Sequence, residues 1–204
     1  MPLMCPLHHR PSPGHDQIGP SKRTRVRRKP DCRHYDRDTI YRIVDEALFG
    51  HAGVVADGLP YVIPTVIARR GDELLLHGSA RSRLMRLVAA GCEVCVAVTH
   101  LDGLIVSRSL FDSSLNYRSV VVFGKARPMT APGDKLGALR TIVEHVLPGR
   151  WEEAGPTIGT GASCYSGCVG AVGRGVCQGC VRARPKTTRR IWAWACGPAS
   201  FPCG

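Results

Sequence analysis

Short glycine turns cut the middle of this chain into apolar runs that lie too close together for any pairing but antiparallel. Asp57-Gly58 separates HAGVVA from LPYVIPTVIAR, Gly71-Asp72 separates that run from ELLLHG, and Asp102-Gly103 separates EVCVAVTHL from LIVSRSL. Such dipeptides supply the positive φ angles of tight hairpins, whereas parallel strands need a crossover of about a dozen residues or more. A further run, YRSVVVFGKARP, makes another strand. Three stretches show helical spacing instead. Asp38, as N-cap, precedes Ile40, Ile43, Val44, Ala47 and Leu48, with Gly50 as the stop. Ser79 to Ala90 carries Leu84, Leu87 and Val88 and ends at Gly91, and Asp134 to Leu147 carries Leu136, Leu139, Ile142, Val143 and Val146. The predicted order is helix, three strands, helix, three strands, helix. It implies a mixed α+β fold, mainly antiparallel, as a sheet or small barrel with flanking helices.

A net charge of +12 over 204 residues would suggest a polyanionic partner if it were evenly spread. Residues 1–29 hold seven Lys or Arg against Asp16 alone, residues 159–204 hold six against no acid, and residues 30–158 balance at 15 and 15. The basic character belongs to the ends. The chain is therefore read as a disordered basic arm (1–29), a folded domain (30–158) and a tail (159–204), and nucleic acid is not the expected partner. The N-terminus lacks the apolar stretch of a secretory signal, and no run approaches the roughly 18 apolar residues of a membrane span. A cytoplasmic protein without membrane association is expected, its cysteines being thiols or metal ligands.

The segment LLLHGSARSR runs an apolar strand, ending at His77 and Gly78, straight into a helix start that offers Ser79, Arg81, Ser82 and Arg83. Amides at a helix start, hydroxyls and guanidinium groups together suit a phosphate dianion. A second group, Tyr117, Arg118 and Ser119, opens the long strand. Alternation sends Tyr117 and Ser119 to one face and Arg118 to the other, so the trio cannot all serve one ligand. Cys92 and Cys95 form a CxxC that straddles a strand start and reads as two small buried residues. No Ser/His/Asp set or carboxylate pair stands out, so hydrolysis is not the favoured chemistry.

Four segments together, RTRVRRKPDCRHYDRDTIYRIVDEA, FGHAGVVADGLPYVIPT, LLLHGSARSRLMRLVAAGCEVCVAVTHLDGLIVSRS and NYRSVVVFGKARP, resemble the flavin-nucleotide-binding proteins related to pyridoxamine 5'-phosphate oxidase, including nitroimidazole-resistance proteins. The resemblance spans about residues 23 to 158. It implies an FMN-binding split β-barrel, a homodimer, and electron transfer between the flavin and a small molecule such as NAD(P)H or a reducible aromatic. By motif it assigns the flavin phosphate to Ser79, Ser82, Arg83 and the neighbouring His77 and Gly78. The strand beside the flavin ring contains Pro64 and Thr65, the second cofactor strand Tyr117, Arg118 and Ser119, and the catalytic position falls on His51. PDCRHYD departs from the Arg-Gly pair that the family places after its proline and aspartate. No resident metal is expected in the domain.

The tail is unlike the rest: it holds six of the ten cysteines and nine of the 23 glycines. Cys164, Cys168, Cys177 and Cys180 have a spacing that four zinc ligands could use. A second explanation accounts for more of it. Written with permitted codons and read two bases later, ACGPASFPCG can give VWAGIVPLR, which resembles the family's closing Trp-Ala-Gly-x-x-Pro-Leu segment. GRGVCQG, written with permitted codons and read one base later, can give DEASAKV, which also resembles a late family segment. The tail thus reads as the natural C-terminus translated out of frame, and it is expected to be disordered because no hydrophobic pattern was selected there. A basic zinc- or nucleic-acid-binding protein working through its tails, a split barrel holding haem or a deazaflavin, and an inactive relative stay open beside the flavin reading.

Overall fold

The computed structural model describes residues 21–27, 33–108, 111 and 113–154, together with the backbones of 168–172 and 177–181. In chain order the elements are β1 (Arg33–His34), α1 (Arg37–Asp45), β2 (Phe49–Ala56), β3 (Leu59–Arg70), β4 (Glu73–Gly78), α2 (Arg83–Ala89), β5 (Glu93–Ile105), β6 (Ser114–Pro128), α3 (Pro132–Val146), α4 (Arg150–Ala154), β7 (Cys168–Val172) and β8 (Cys177–Val181). Every strand pairing is antiparallel. The pairings β2–β3, β3–β4, β4–β7, β7–β6, β6–β5 and β5–β2 run round to their start, so six strands close into a barrel. β8 lies outside the ring on the edge of β6, with β1 beyond it.

Alternation along the strands separates an inner from an outer surface. Ile67, Leu76, Val94, Val96, Val98 and Val120 point inward and are buried, and α1 and α2 add Ile43, Val44, Met85 and Val88 to the same cluster. Gly50 also points inward. A Cβ there would lie 3.0 Å from Val96 Cγ1, so the close packing of β2 requires glycine. A second cluster forms outside the barrel, where Ala138, Leu139 and Ile142 of α3 cover Ala68 of β3 and Leu75 of β4. Pro60 and Pro64 fit within β3 because that half of the strand pairs only with β2, while β4 takes up residues from Ile67 onward.

Several boundaries differ from the sequence reading, each for a local reason. The N-cap of α1 is Asp36, whose carboxylate accepts from Thr39 N at 2.9 Å, and the helix ends before Ala47, leaving Gly50 in β2. α2 starts only after Ser82, which accepts from Met85 N at 3.2 Å; Gly91, at φ +71°, does terminate that region. Asp102-Gly103 is no hairpin. β5 runs through it as one strand with a register shift between Leu101 and Gly103, so two strands, not three, lie between α2 and α3.

The ends also carry order. Residues 21–27, within the arm read as disordered, form a turn in which Thr24 and Val26 are buried, and Tyr35 Oη donates to Thr24 O at 3.0 Å. β7 and β8 lie in the tail read as disordered. Both segments, CVGAV and CQGCV, lack proline, and backbone pairing needs only N–H and C=O groups, so a strand can form without a selected side-chain pattern. The rest of the arm and tail lies outside the described residues, including Cys164, residues 173–176 of GRGVCQG and all of ACGPASFPCG.

Candidate functional site

The predicted residues fall into two neighbourhoods and one exclusion. The first is the junction between β4 and α2. Ser79 O accepts from Ser82 N at 2.9 Å and Ser79 Oγ accepts from Arg81 N at 3.3 Å, which folds HGSARS into a tight turn before the helix. Gly78 lets α2 approach: a Cβ there would meet Met85 Cγ at 3.3 Å. The Arg83 guanidinium stacks over the Tyr61 ring at 4.0 Å, and neither it, Arg81 nor Arg86 has a carboxylate partner among the described residues. Three cations thus fall within residues 81–86 at the start of α2. Thr65 is buried, its hydroxyl 3.5 Å from His77 O, and burial holds the His77 imidazole below its ordinary pKa.

The second neighbourhood is the outer face of β3, β2, β5 and β6. Pro64 pairs with His51, His51 with Ala97 and Ala97 with Val121, so these four make one row across the sheet. The next row is Val62, Gly53, Cys95 and Phe123. Ser119 pairs with Thr99 on the same face, and Tyr117 follows Ser119 by strand alternation. Val62 is 69% exposed and Phe49 61%; Val55 and Leu101 are also exposed. Arg23 stacks over the Phe123 ring at 4.9 Å at one end of this face, and the rest is an extended, partly exposed apolar surface among the described residues with a histidine in its middle; such surfaces mark interaction or ligand sites.

Arg118 stands apart. Its side chain points to the opposite face, as alternation predicts, and its guanidinium donates to both Asp102 oxygens at 3.0 to 3.2 Å and to Glu46 Oε2 at 2.6 Å. The hydrogen bonds it donates to Asp102, then to Glu46, raise its pKa and fix it between the β5 bulge and the end of α1. That guanidinium holds two carboxylates and is not presented to an anionic ligand.

Sequence reasoning missed Tyr61 and Arg86. Tyr61 was legible, because in β3 it shares the face of Thr65 by period two, but nothing local announces that Arg83 crosses to it. Cys92 and Cys95 are half-buried rather than buried, and burial pushes both thiols up. Among the described residues no group of three or more His, Cys, Asp or Glu could hold a metal ion, and no helix is long and apolar enough to cross a membrane.

A mainly antiparallel sheet curled into a barrel with flanking helices has the architecture of the flavin-binding split barrels. The chain belongs to the pyridoxamine 5'-phosphate oxidase family, whose model matches residues 36–160. Among proteins of curated function, none matches it. Solved structures are similar throughout. The flavocytochrome Anf3 from Azotobacter vinelandii is 26% identical with a TM-score of 0.73, covering 90% of this chain and 94% of its own. The FAD and haem binding protein from Mycobacterium smegmatis is 26% identical with a TM-score of 0.68, covering 82% and 94%. A protein assigned to 5-nitroimidazole antibiotic resistance from Bacteroides thetaiotaomicron is 20% identical with a TM-score of 0.60, covering 72% and 84%, and attests the fold alone.

Proposed function

We propose that the protein binds a flavin nucleotide, FMN in the first instance, and passes electrons between it and a small molecule such as NAD(P)H or a reducible aromatic. The observation that carries this reading is the Arg81, Arg83 and Arg86 group, which brings positive charge to the start of α2 beside Ser79 and Ser82 and has no carboxylate partner among the described residues. A phosphate dianion satisfies that charge, and the apolar outer face suits a planar ring system. Bound flavin supplies the redox chemistry; the chain's residues bind, orient and shield it. Pro64, Tyr117 and Ser119 line that face, and the exposed apolar surface supports a homodimer in which a second copy covers it. The setting proposed is the cytoplasm. Titrating the purified full chain into FMN, FAD and riboflavin and following flavin fluorescence tests the reading: saturable quenching by FMN at one equivalent supports it, and no uptake of any of the three ends it.

A second reading is favoured by His51. Two similar proteins, at 26% identity, are described as a flavocytochrome and as an FAD and haem binding protein, and an exposed imidazole in the centre of an apolar face is the donor that a haem requires. In that reading the chain holds a haem as well as a flavin.

A further inference from the structure

We infer that Arg23 is a latch: it reaches from the N-terminal turn over the Phe123 end of the outer sheet face, and that end opens to a planar ligand only when the guanidinium lets go. The consequence for flavin uptake rests on the first reading above. The turn itself is firmly built. Ser21 O accepts from Thr24 N at 3.2 Å and from Arg25 N at 3.1 Å, and Thr24 Oγ1 accepts from Ser21 N at 2.8 Å, so residues 21–25 close on themselves. Tyr35 fastens them to the domain: its Oη donates to Thr24 O at 3.0 Å and accepts from Val26 N at 3.2 Å, and Thr24 and Val26 are buried. Arg23 lies on the exposed side of this anchored turn. Its guanidinium donates to Glu93 Oε2 at 2.9 Å and stacks over the Phe123 ring at 4.9 Å.

Two stacked arginines show what a fixed contact looks like and what a releasable one looks like. Arg69 stacks on Tyr41 at 4.1 Å and also holds both oxygens of Asp45, at 2.8 and 2.5 Å. Arg23 has one carboxylate bond among the described residues, and the side chains that make it are 57% and 61% exposed. Water and salt compete for an ion pair so open, and a cation over an exposed ring adds little more. The anchored turn therefore stays in place while its arginine can leave. What the arginine covers belongs to the ring face: Phe123 ends the row that runs through Val62, Gly53 and Cys95. Gly53 offers no side chain, so a flat ligand lying there meets Cys95 next and then the covered Phe123. Cys95 records the cover independently. Burial raises its thiol pKa, and the nearby Arg23 charge pulls it part of the way back.

Cys95 tests the latch without any flavin. Its alkylation by iodoacetamide in the full chain, separated from the other cysteines by peptide mass spectrometry and followed against pH, gives a midpoint and a rate for the thiolate. The other charged groups in register near it, Glu93, Lys125 and His51, are present in both Arg23→Ala and Arg25→Ala. Arg23→Ala should raise the thiolate rate at least about threefold and move the midpoint upward, because cover and positive charge leave together. Glu93→Gln should raise the rate as well, whereas Arg25→Ala, which removes the same charge from the same turn, should match the wild type. In stopped-flow mixing, Arg23→Ala should take up FMN and riboflavin faster by a similar factor. Raising salt to about 0.5 M should speed riboflavin uptake by the wild type but not by Arg23→Ala. Wild-type alkylation in Arg23→Ala, an equal change in Arg25→Ala, or slower flavin uptake by Arg23→Ala would each overturn the latch. If no form of the chain takes up flavin, the first reading falls, and the Cys95 curves still decide whether Arg23 covers the face.

Discussion

The barrel has two outer surfaces built from the same strands, one covered and one bare. Where β3 meets β4, α3 lays Ala138, Leu139 and Ile142 over Ala68 and Leu75, and all five are buried. Where β3 meets β2, the apolar side chains Val62, Val55 and Phe49 have nothing over them among the described residues. Both surfaces are apolar, so hydrophobicity alone does not distinguish a core from a site. What distinguishes them is whether the chain supplies its own cover.

If the covered surface is structural, Leu139→Ala should cost about 2 to 4 kcal/mol in urea unfolding, while Val62→Ala, at a position 69% exposed, should change stability by less than about 0.5 kcal/mol. A large loss in Val62→Ala that grows at higher protein concentration would instead reveal a second copy as the missing cover. The next effect falls on the arginines. Arg83→Ala should weaken FMN binding by about 10- to 100-fold and leave riboflavin, which lacks the phosphate, unchanged, because a charge-assisted bond is worth about 1.5 to 3 kcal/mol. Equal losses for both flavins would move the phosphate elsewhere.

Arg118→Ala offers the matching control. Its carboxylate partners are 45% and 35% exposed, so solvent weakens the network, and a loss of about 1 kcal/mol or less is expected, with FMN affinity changed little. The smallest effect concerns His77. Its pKa in the folded protein lies below the ordinary 6.5, so the unfolded chain binds the proton more readily. Stability should therefore be full above pH 6.5 and decline as pH falls through the folded value, and His77→Gln should flatten that slope in thermal unfolding scans.

The hairpins β2–β3 and β3–β4 were legible because Asp57-Gly58 and Gly71 mark turns whose φ angles are positive in the structure. Asp102-Gly103 carries the same local signal but sits in a bulge, since the pairing of Leu104 and Ile105 with β6 continues the strand past it. Turn chemistry reports a local preference, and the partner strand decides whether it is used. The cap of α1 was misplaced by two residues for a similar reason: Asp36 and Asp38 are both competent caps, and Thr39 N chooses between them. In the site, the cluster at Ser79, Ser82 and Arg83 was legible as one contiguous motif. The commitment of Arg118 was not, because Glu46 and Asp102 reach it from distant parts of the chain.

The closing seam of the barrel has a consequence for the order of events during synthesis. β4 emerges early, yet its free edge finds its partner only when Leu74 meets Val172 and Gly78 meets Cys168. Contacts of such long separation form late and slowly, and an unpaired strand edge is the surface along which chains cross-associate. Until the ribosome has released β7, the nascent protein is an open sheet rather than a barrel, so yield in the cell should depend on chaperone capacity more than on the stability of the finished fold.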